Sequence, residues 1–297
     1  MNWKGVLPAV TTNLKADLTV DHPAFAGHCR WMVDSGCTGI VCCGSLGEAQ
    51  TLSFDEKIAV VRTAVVAVGD RAPVVLGIAS LSTVEAVAMA RAAEAAGAQG
   101  LMVLPPYVYT SDWREMKAYV GAVIAATKLS CMLYNNPPAY KTDFLPDQIA
   151  ELAREHANLH AVKESSGDVR RVTAIRAAVG RRLEIAVGMD DAIVEGIYAG
   201  ATGWIAGLVN AFPVETVALF DLASRGDKAR AAALYEWFLP LLRLDTVPKF
   251  VQHIKWVQAE LGRGTPFTRP PRLPLTGVDL ELTQAVLAKA RASHPKL

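Results

Sequence analysis

The feature that most constrains the fold is an eightfold alternation of short apolar runs with longer, alanine-rich segments. Each apolar run has six to eight residues, which is the length of a strand buried on both faces and too short for a helix. Repeated strand–helix units of this spacing predict an α/β protein, specifically a (β/α)8 TIM barrel with a C-terminal helical extension. The runs cover residues 5–10, 38–44, 72–79, 100–106, 130–135, 159–164, 183–188 and 203–208. The helical segments cover residues 23–35, 53–68, 82–96, 111–127, 146–156, 168–179, 190–198 and 213–224, with Ser53, Ser82 and Ser111 at N-cap positions.

The strand pattern ends at residue 225, and three further helical patterns follow it. Proline and glycine cluster between the last two of these patterns, but no flexible linker separates them from the barrel. We therefore predict a barrel over residues 1–225 and a three-helix appendage over residues 226–297, packed on the barrel.

Composition narrows the class of protein. Lys and Arg number 30 against 29 Asp and Glu, so nothing favours nucleic acid or an anionic membrane as partner. The N-terminal residues lack the pattern of a secretory signal, and no apolar run is long enough to span a membrane. Five cysteines without a CxxC motif and six scattered histidines argue against disulfides and a metal site. We expect a cytoplasmic protein with reduced, buried thiols and no metal or other cofactor.

The apolar run at residues 159–164, LHAVKE, ends in a lysine. A charged amine at the end of a buried strand is costly unless it pairs, loses its proton or reaches a cavity. Lys163 therefore either pairs with Glu164 or an acid across the barrel, or it serves as a catalytic amine.

The other strand ends favour the catalytic reading, because the active sites of such barrels gather there. They carry GSLGE at residues 44–48, YNNPP at residues 134–138 and GMDD at residues 188–191. Backbone N–H groups of GSLGE suit a carboxylate, and a desolvated Lys163 amine can attack the ketone of a 2-oxo acid. The imine then acts as an electron sink, Tyr134 can shuttle protons, and Ser45 completes the relay.

These motifs, with VKESSGD at residues 162–168, resemble the dihydrodipicolinate synthase / N-acetylneuraminate lyase superfamily over essentially the whole chain. The resemblance implies a homotetrameric class I lyase, a dimer of dimers, that needs only a covalent lysine imine. It implies that Lys163 forms the imine, Tyr134 is the general acid/base, and Ser45 binds the carboxylate and relays a proton. The predicted substrate-binding residues are Gly44, Leu46, Gly47, Tyr107, Tyr109, Gly188 and Ile205.

Departures from the family pattern concern the substrate. Leu46 replaces a second hydroxyl residue, Ala139 stands where lysine-pathway synthases carry an arginine, and Val108 interrupts a tyrosine pair. A small second-substrate side of the site, with no fixed cation, favours a compact substrate with one carboxylate. We predict 1-pyrroline-4-hydroxy-2-carboxylate deaminase, an enzyme of hydroxyproline breakdown. The alternatives are a pyruvate-dependent dihydrodipicolinate synthase-like aldolase, an N-acetylneuraminate lyase-like aldolase, and an aldolase or dehydratase of 2-keto-3-deoxy sugar acids.

Two readings from other classes are weaker. A phosphosugar enzyme is disfavoured because the aspartates of GMDD would repel a phosphate, and a non-catalytic 2-oxo-acid sensor would not need both Lys163 and Tyr134. For the remaining charged residues we expect structural roles. Asp190 and Asp191 should form a helix N-cap and a hydrogen-bonding pair, Glu48 should brace its own loop, and Lys255 should lie on the surface.

Overall fold

Eight parallel strands form a barrel, as the sequence predicts. The computed structural model describes residues 1–106 and 109–296. The strands are β1 (Gly5–Pro8), β2 (Ile40–Cys42), β3 (Val74–Ile78), β4 (Gly100–Val103), β5 (Ser130–Asn135), β6 (Leu159–Glu164), β7 (Glu184–Val187) and β8 (Gly203–Ala206). They are hydrogen-bonded in the order β1-β8-β7-β6-β5-β4-β3-β2. Between β1 and β2, at the two ends of this order, the Val10 N–H donates to Val41 O at 3.0 Å and the Thr38 N–H donates to Val6 O at 2.8 Å.

Helices surround the barrel and extend beyond it. The barrel helices are α1 (His22–Asp34), α2 (Phe54–Val68), α3 (Thr83–Ala95), α4 (Trp113–Ala125), α5 (Pro137–Tyr140), α6 (Pro146–Glu155), α7 (Arg170–Val179), α8 (Ile193–Tyr198) and α9 (Pro213–Ser224). Three more follow: α10 (Lys228–Leu242), α11 (Phe250–Glu260) and α12 (Gly277–Ala292). The four-residue α5 falls in the YNNPP turn, where the sequence predicted no helix.

Side-chain caps begin several of these helices where the sequence placed them. Ser53 accepts the Glu56 N–H at the start of α2, and Ser82 accepts the Glu85 N–H at the start of α3. The prediction that Ser111 caps α4 is wrong by one residue. Asp112 takes that position, and its carboxylate accepts the Glu115 N–H at 2.9 Å. Either residue type suits an N-cap, so the pattern alone could not separate these neighbours.

The strands are apolar because they are covered on both faces. All five residues of β3 are buried, and β4, β5 and β8 are buried throughout. The core continues from the barrel into α10 and α11, through Leu234, Phe238, Leu241 and Val251. The two predicted parts of the chain thus share one core, and the division at residue 225 stays a prediction. No helix within the described residues is long and apolar enough to cross a membrane.

The segment between α11 and α12 runs over the loops that follow β1 and β2. Thr265 Oγ1 donates to Leu14 O at 2.9 Å, and the Arg269 N–H donates to Glu48 Oε2 at 2.9 Å. The C-terminal extension therefore reaches the end of the barrel at which the strands finish.

Candidate active site

Lys163 and Tyr134 face each other inside the barrel. They occupy paired positions on the neighbouring strands β6 and β5, so both side chains point the same way. Lys163 is 6% exposed and Tyr134 is 5% exposed. The Lys163 Nζ lies 4.0 Å from the centre of the Tyr134 ring. The structure thus brings the two predicted catalytic residues together at the carboxyl end of the sheet.

Glu164 does not pair with Lys163, so that half of the structural alternative is wrong. Successive residues of a strand point to opposite faces, and Glu164 points away from the barrel interior. Its Oε1 accepts the Ser166 N–H at 2.6 Å, and its Oε2 accepts from Asn135 Nδ2 at 3.1 Å. Lys163 is left facing the cavity.

The surroundings adjust the proton affinity of both residues. Burial lowers the pKa of the Lys163 amine to about 8, although the carboxyls of Asp245 and Asp190 oppose the shift. Burial also raises the pKa of the Tyr134 phenol to about 12, and Asn136 Nδ2, which donates to its oxygen at 2.9 Å, opposes that change. Near neutral pH the lysine therefore supplies free amine more readily than an exposed lysine, while the phenol keeps its proton.

A second tyrosine connects Tyr134 to the loop after β2. Tyr140, at the end of α5, shares a hydrogen bond between its hydroxyl and Ser45 Oγ. Its ring packs edge-on against the Tyr134 ring, with 5.8 Å between the ring centres. Tyr140 was not among the predicted site residues. Its position two residues beyond the YNNPP turn was the available signal.

A cavity of about 540 Å³ opens beside these groups. Of the predicted catalytic and substrate-binding residues, Gly44, Ser45, Leu46, Tyr134, Lys163, Gly188 and Ile205 line it. Gly47 does not, because it packs against Val10 and Cys43. Tyr109 also lies outside the cavity of its own chain and is 57% exposed. Tyr107 falls outside the described residues. The binding and catalytic roles of all these residues stay predictions.

Only glycine fits at position 188, because side-chain atoms of Lys163 and Ser165 occupy the space of a Cβ there. A Cβ at this position would collide with Lys163 Cε and Ser165 Oγ, and would lie 2.8 Å from Lys163 Cγ. Any larger residue at the end of β7 would push the lysine stem out of its place.

The C-terminal extension completes the cavity, although none of its residues was among the predicted site residues. Asp245, Thr246, Val247, Pro248, Phe250 and Arg272 all line it. Because Arg272 lines the cavity, the expectation that the substrate side has no fixed cation is wrong. Its nearest ionic partner is Glu48, 3.9 Å away, which already contacts Lys255 at 2.7 Å.

Glu48 and Lys255 form a buried ion pair, so two structural expectations are wrong. Lys255 is 2% exposed and lies within the molecule, where its Nζ also donates to Thr12 O at 2.9 Å. Glu48 does not brace its own loop through its side chain. It ties that loop to α11 and to the backbone of Arg269.

Asp190 is a fully buried carboxylate next to the site. It accepts hydrogen bonds from Trp204 Nε1 at 2.8 Å, from the Leu208 N–H at 2.7 Å and from the Gly207 N–H at 3.1 Å. Burial raises its pKa to about 6, and these donors oppose the rise. Its predicted structural bonding is therefore present, but it caps no helix.

Fold and site together define a (β/α)8 barrel with a candidate active site at the carboxyl ends of the strands, as in enzymes of this fold. Comparison with known proteins gives the family. The model of the dihydrodipicolinate synthetase family matches residues 2–292. The chain belongs to this family and is a lyase of it.

Individual relatives differ in their activities. The chain is 32% identical to the 4-hydroxy-tetrahydrodipicolinate synthase of Chelativorans sp. (strain BNC1), over 97% of this chain and 98% of the relative. It is 34% identical to a probable 5-dehydro-4-deoxyglucarate dehydratase of Saccharopolyspora erythraea, over 98% and 94%. Among solved structures, the 4-hydroxy-tetrahydrodipicolinate synthase of Methylacidiphilum fumariolicum SolV superposes with a TM-score of 0.94 at 27% identity, covering 97% and 96% of the two chains.

Proposed function

We propose that this lyase binds a small 2-oxo acid, or its cyclic imine, as a Schiff base on Lys163. The observation that carries the proposal is a buried amine with a lowered pKa, 4.0 Å from a tyrosine ring at the mouth of the barrel. Such an amine is a good nucleophile near neutral pH. The hydroxyls of Tyr134, Tyr140 and Ser45 form a path for protons to and from the bound substrate.

The substrate we propose is 1-pyrroline-4-hydroxy-2-carboxylate. Attack of Lys163 on C2 opens the ring and leaves the nitrogen as an amine on C5. Loss of the 4-hydroxyl as water, migration of the new double bond to C4–C5, and hydrolysis at C2 and C5 give 2-oxoglutarate semialdehyde and ammonia, with one water consumed overall. Apolar contacts from Leu46, Met102 and Ala139 suit this compact substrate.

A second candidate is a dehydratase acting on a 2-keto-3-deoxy sugar acid with a second carboxylate. Arg272 favours it, because a guanidinium in the cavity suits a distal carboxylate. The likeness to a probable 5-dehydro-4-deoxyglucarate dehydratase points in the same direction. Both candidates lose a hydroxyl from C4 of an imine-bound 2-oxo acid, so they share one reaction type.

Borohydride trapping tests the proposal. The protein is incubated separately with pyruvate, 1-pyrroline-4-hydroxy-2-carboxylate and 5-dehydro-4-deoxyglucarate, reduced, digested and analysed by peptide mass spectrometry. We expect the adduct on the peptide containing Lys163 and on neither of the other buried lysines, Lys57 and Lys255. Ammonia should appear with the pyrroline in the absence of reductant. Lys163→Ala should abolish trapping and turnover, and Tyr134→Phe should slow turnover roughly a hundredfold.

Other outcomes have distinct meanings. Trapping with pyruvate and release of no product from either hydroxylated substrate would favour a pyruvate-dependent aldolase. Turnover that persists in Lys163→Ala would contradict imine chemistry, and a folded protein that traps none of the three compounds would favour the non-catalytic sensor.

A further inference from the structure

We propose that Asp245 is the acid that protonates the hydroxyl leaving from C4 of the imine-bound substrate. The inference rests on the proposed function and adds a catalytic residue from outside the barrel, in the turn between α10 and α11. Two observations support it: the Asp245 carboxyl lines the cavity, and the charged groups of Lys163 and Asp190 lie close to it.

The carboxyl of Asp245 is fitted against the end of β8. Gly207, the residue after this strand, leaves the necessary space, because a Cβ there would collide with Asp245 Oδ1 and lie 2.5 Å from Asp245 Cγ. The backbone at Gly207 has a φ of −100°, which any residue can adopt. The glycine is therefore explained by the carboxyl packed on it and not by the backbone.

Asp245 is half-buried and shares its surroundings with one buried amine and one buried carboxyl. Lys163 and Asp190 are the two groups whose charges act on it most strongly, and Asp191 adds a weaker repulsion. Asp190 accepts three N–H donors, from Trp204, Gly207 and Leu208, which stabilise its charged form. Asp245 accepts no hydrogen bond from any residue that the structure describes.

Of this carboxyl pair, Asp245 is therefore the one that holds a proton. Two neighbouring carboxyls do not both ionise readily beside a single amine, and the one with the N–H donors keeps the charge. Burial and the charge of Asp190 raise the pKa of Asp245 well above its ordinary value, in agreement with this assignment. The carboxyl that lines the cavity is thus the one with a proton to donate.

Few other groups of the cavity can take this role. Among its described lining residues, the side chains that can give up a proton are Lys163, Tyr134, Tyr140, Asp245 and the hydroxyls of Ser45 and Thr246. Lys163 is consumed in the imine, and the two tyrosines lie on the β5 side with Ser45. A free hydroxyl such as that of Thr246 is far too weak an acid. Asp245 approaches from the β8 side.

The hydroxyl on C4 leaves by elimination from an enamine. Removal of a C3 proton from the protonated imine gives a neutral enamine. Its nitrogen electron pair re-forms the C2=N bond, the C2–C3 pair shifts to form C3=C4, and the C4–O bond breaks. The oxygen leaves as water with the proton of Asp245. The step yields a conjugated iminium cation and an Asp245 carboxylate, which attract each other, and the carboxylate later regains its proton from solvent.

The test separates elimination from the steps that precede it. In the full-length Asp245→Asn variant, borohydride trapping of pyruvate on Lys163 and exchange of the pyruvate methyl protons in D2O should stay within about threefold of wild type. Release of product from the hydroxylated substrate that the wild type uses should fall roughly a hundredfold or more. Asp221→Asn is the control. It removes an exposed carboxyl of α9 that does not line the cavity, and it should change none of the three rates.

A pH profile distinguishes an acid from a structural residue. The charged or titratable groups around Asp245 are Lys163, Tyr134, Asp190 and Asp191, with Arg243 beside Asp191. Because protonated Asp245 is the active form, wild-type elimination should decline at high pH, and Asp245→Asn should lack this decline. Gly207→Ala, which displaces the carboxyl without removing it, should also lower elimination more than trapping.

Three results would overturn the inference. Elimination by Asp245→Asn within a few-fold of wild type would show that another group is the acid. Equal loss of trapping, exchange and elimination would show a structural role. A wild type that traps pyruvate but eliminates from neither hydroxylated substrate would instead refute the proposed substrate class, and the role of Asp245 with it.

Discussion

At the scale of single residues, burial in the barrel interior disfavours the charged forms of the site residues. Burial lowers the pKa of Lys163, and the carboxyls of Asp245 and Asp190 oppose this change only while they are ionised. The same burial keeps Tyr134 protonated. The reactive form of each residue therefore depends on its neighbours, which lie on β5, on β6 and in the loops after β7 and α10.

The lowered pKa of Lys163 predicts how trapping depends on pH. Free amine is the nucleophile, so below a pKa of about 8 the initial trapping rate should rise nearly tenfold per pH unit and then level off. An exposed lysine would go on rising beyond pH 10. Initial rates with pyruvate between pH 6 and pH 10 measure this, and a rise that continues past pH 9.5 would contradict the assigned pKa.

At the scale of elements, the buried pair of Glu48 and Lys255 holds α11 to the loop after β2. The carboxylate and the amine are 2.7 Å apart, and both are almost inaccessible to solvent. Loss of one partner leaves an uncompensated buried charge, whereas loss of both leaves none. The pair therefore fixes how the C-terminal extension sits over the cavity.

We expect Lys255→Met to lower the free energy of unfolding by about 3–5 kcal/mol. The double variant Lys255→Met, Glu48→Gln should lose less than the sum of the two single changes. Urea denaturation measures these differences. Lys249→Met is the control, because its partner Asp279 is exposed and such pairs contribute at most about 1 kcal/mol. Equal losses in Lys255→Met and Lys249→Met would contradict the structural role.

The elements also show what the sequence could predict. Strands and most helices follow from local periodicity, and the positions of Lys163 and Tyr134 follow from the rule that strand ends carry the site. Lys255, Asp245 and Arg272 could not be placed in this way. Their surroundings depend on how α11 and the segment after it pack on the barrel, and no local pattern records that contact. The sequence spacing of Lys255 is that of a surface residue. Only the structure shows that Glu48 faces it.

At the scale of the whole molecule, the barrel and its extension share one hydrophobic core. The family resemblance implies a homotetramer, and this remains a proposal. Leu81 and Val84 follow β3, and Tyr109 follows β4, so these apolar side chains emerge at the same end of neighbouring strands. They are 66%, 82% and 57% exposed in the single chain. Contact with another copy would cover such side chains.

Sedimentation equilibrium tests the assembly. We expect a mass of four chains of 31.8 kDa each, and Leu81→Lys should shift the distribution toward smaller species. Val66→Lys, at an 85% exposed position of α2 outside these loops, is the control and should leave the mass unchanged. A wild type that sediments as a single chain would refute the tetramer.

The contribution of residues 243–276 to the cavity has a consequence for how new specificities arise. Tyr134 and Lys163, the predicted imine-forming groups, are encoded upstream of Asp245 and Arg272. Recombination between the codons of Lys163 and Asp245 would exchange the cavity groups of the C-terminal extension and leave the lysine and its tyrosine untouched. Laboratory evolution of this enzyme toward other substrates should therefore concentrate its codon libraries downstream of that point.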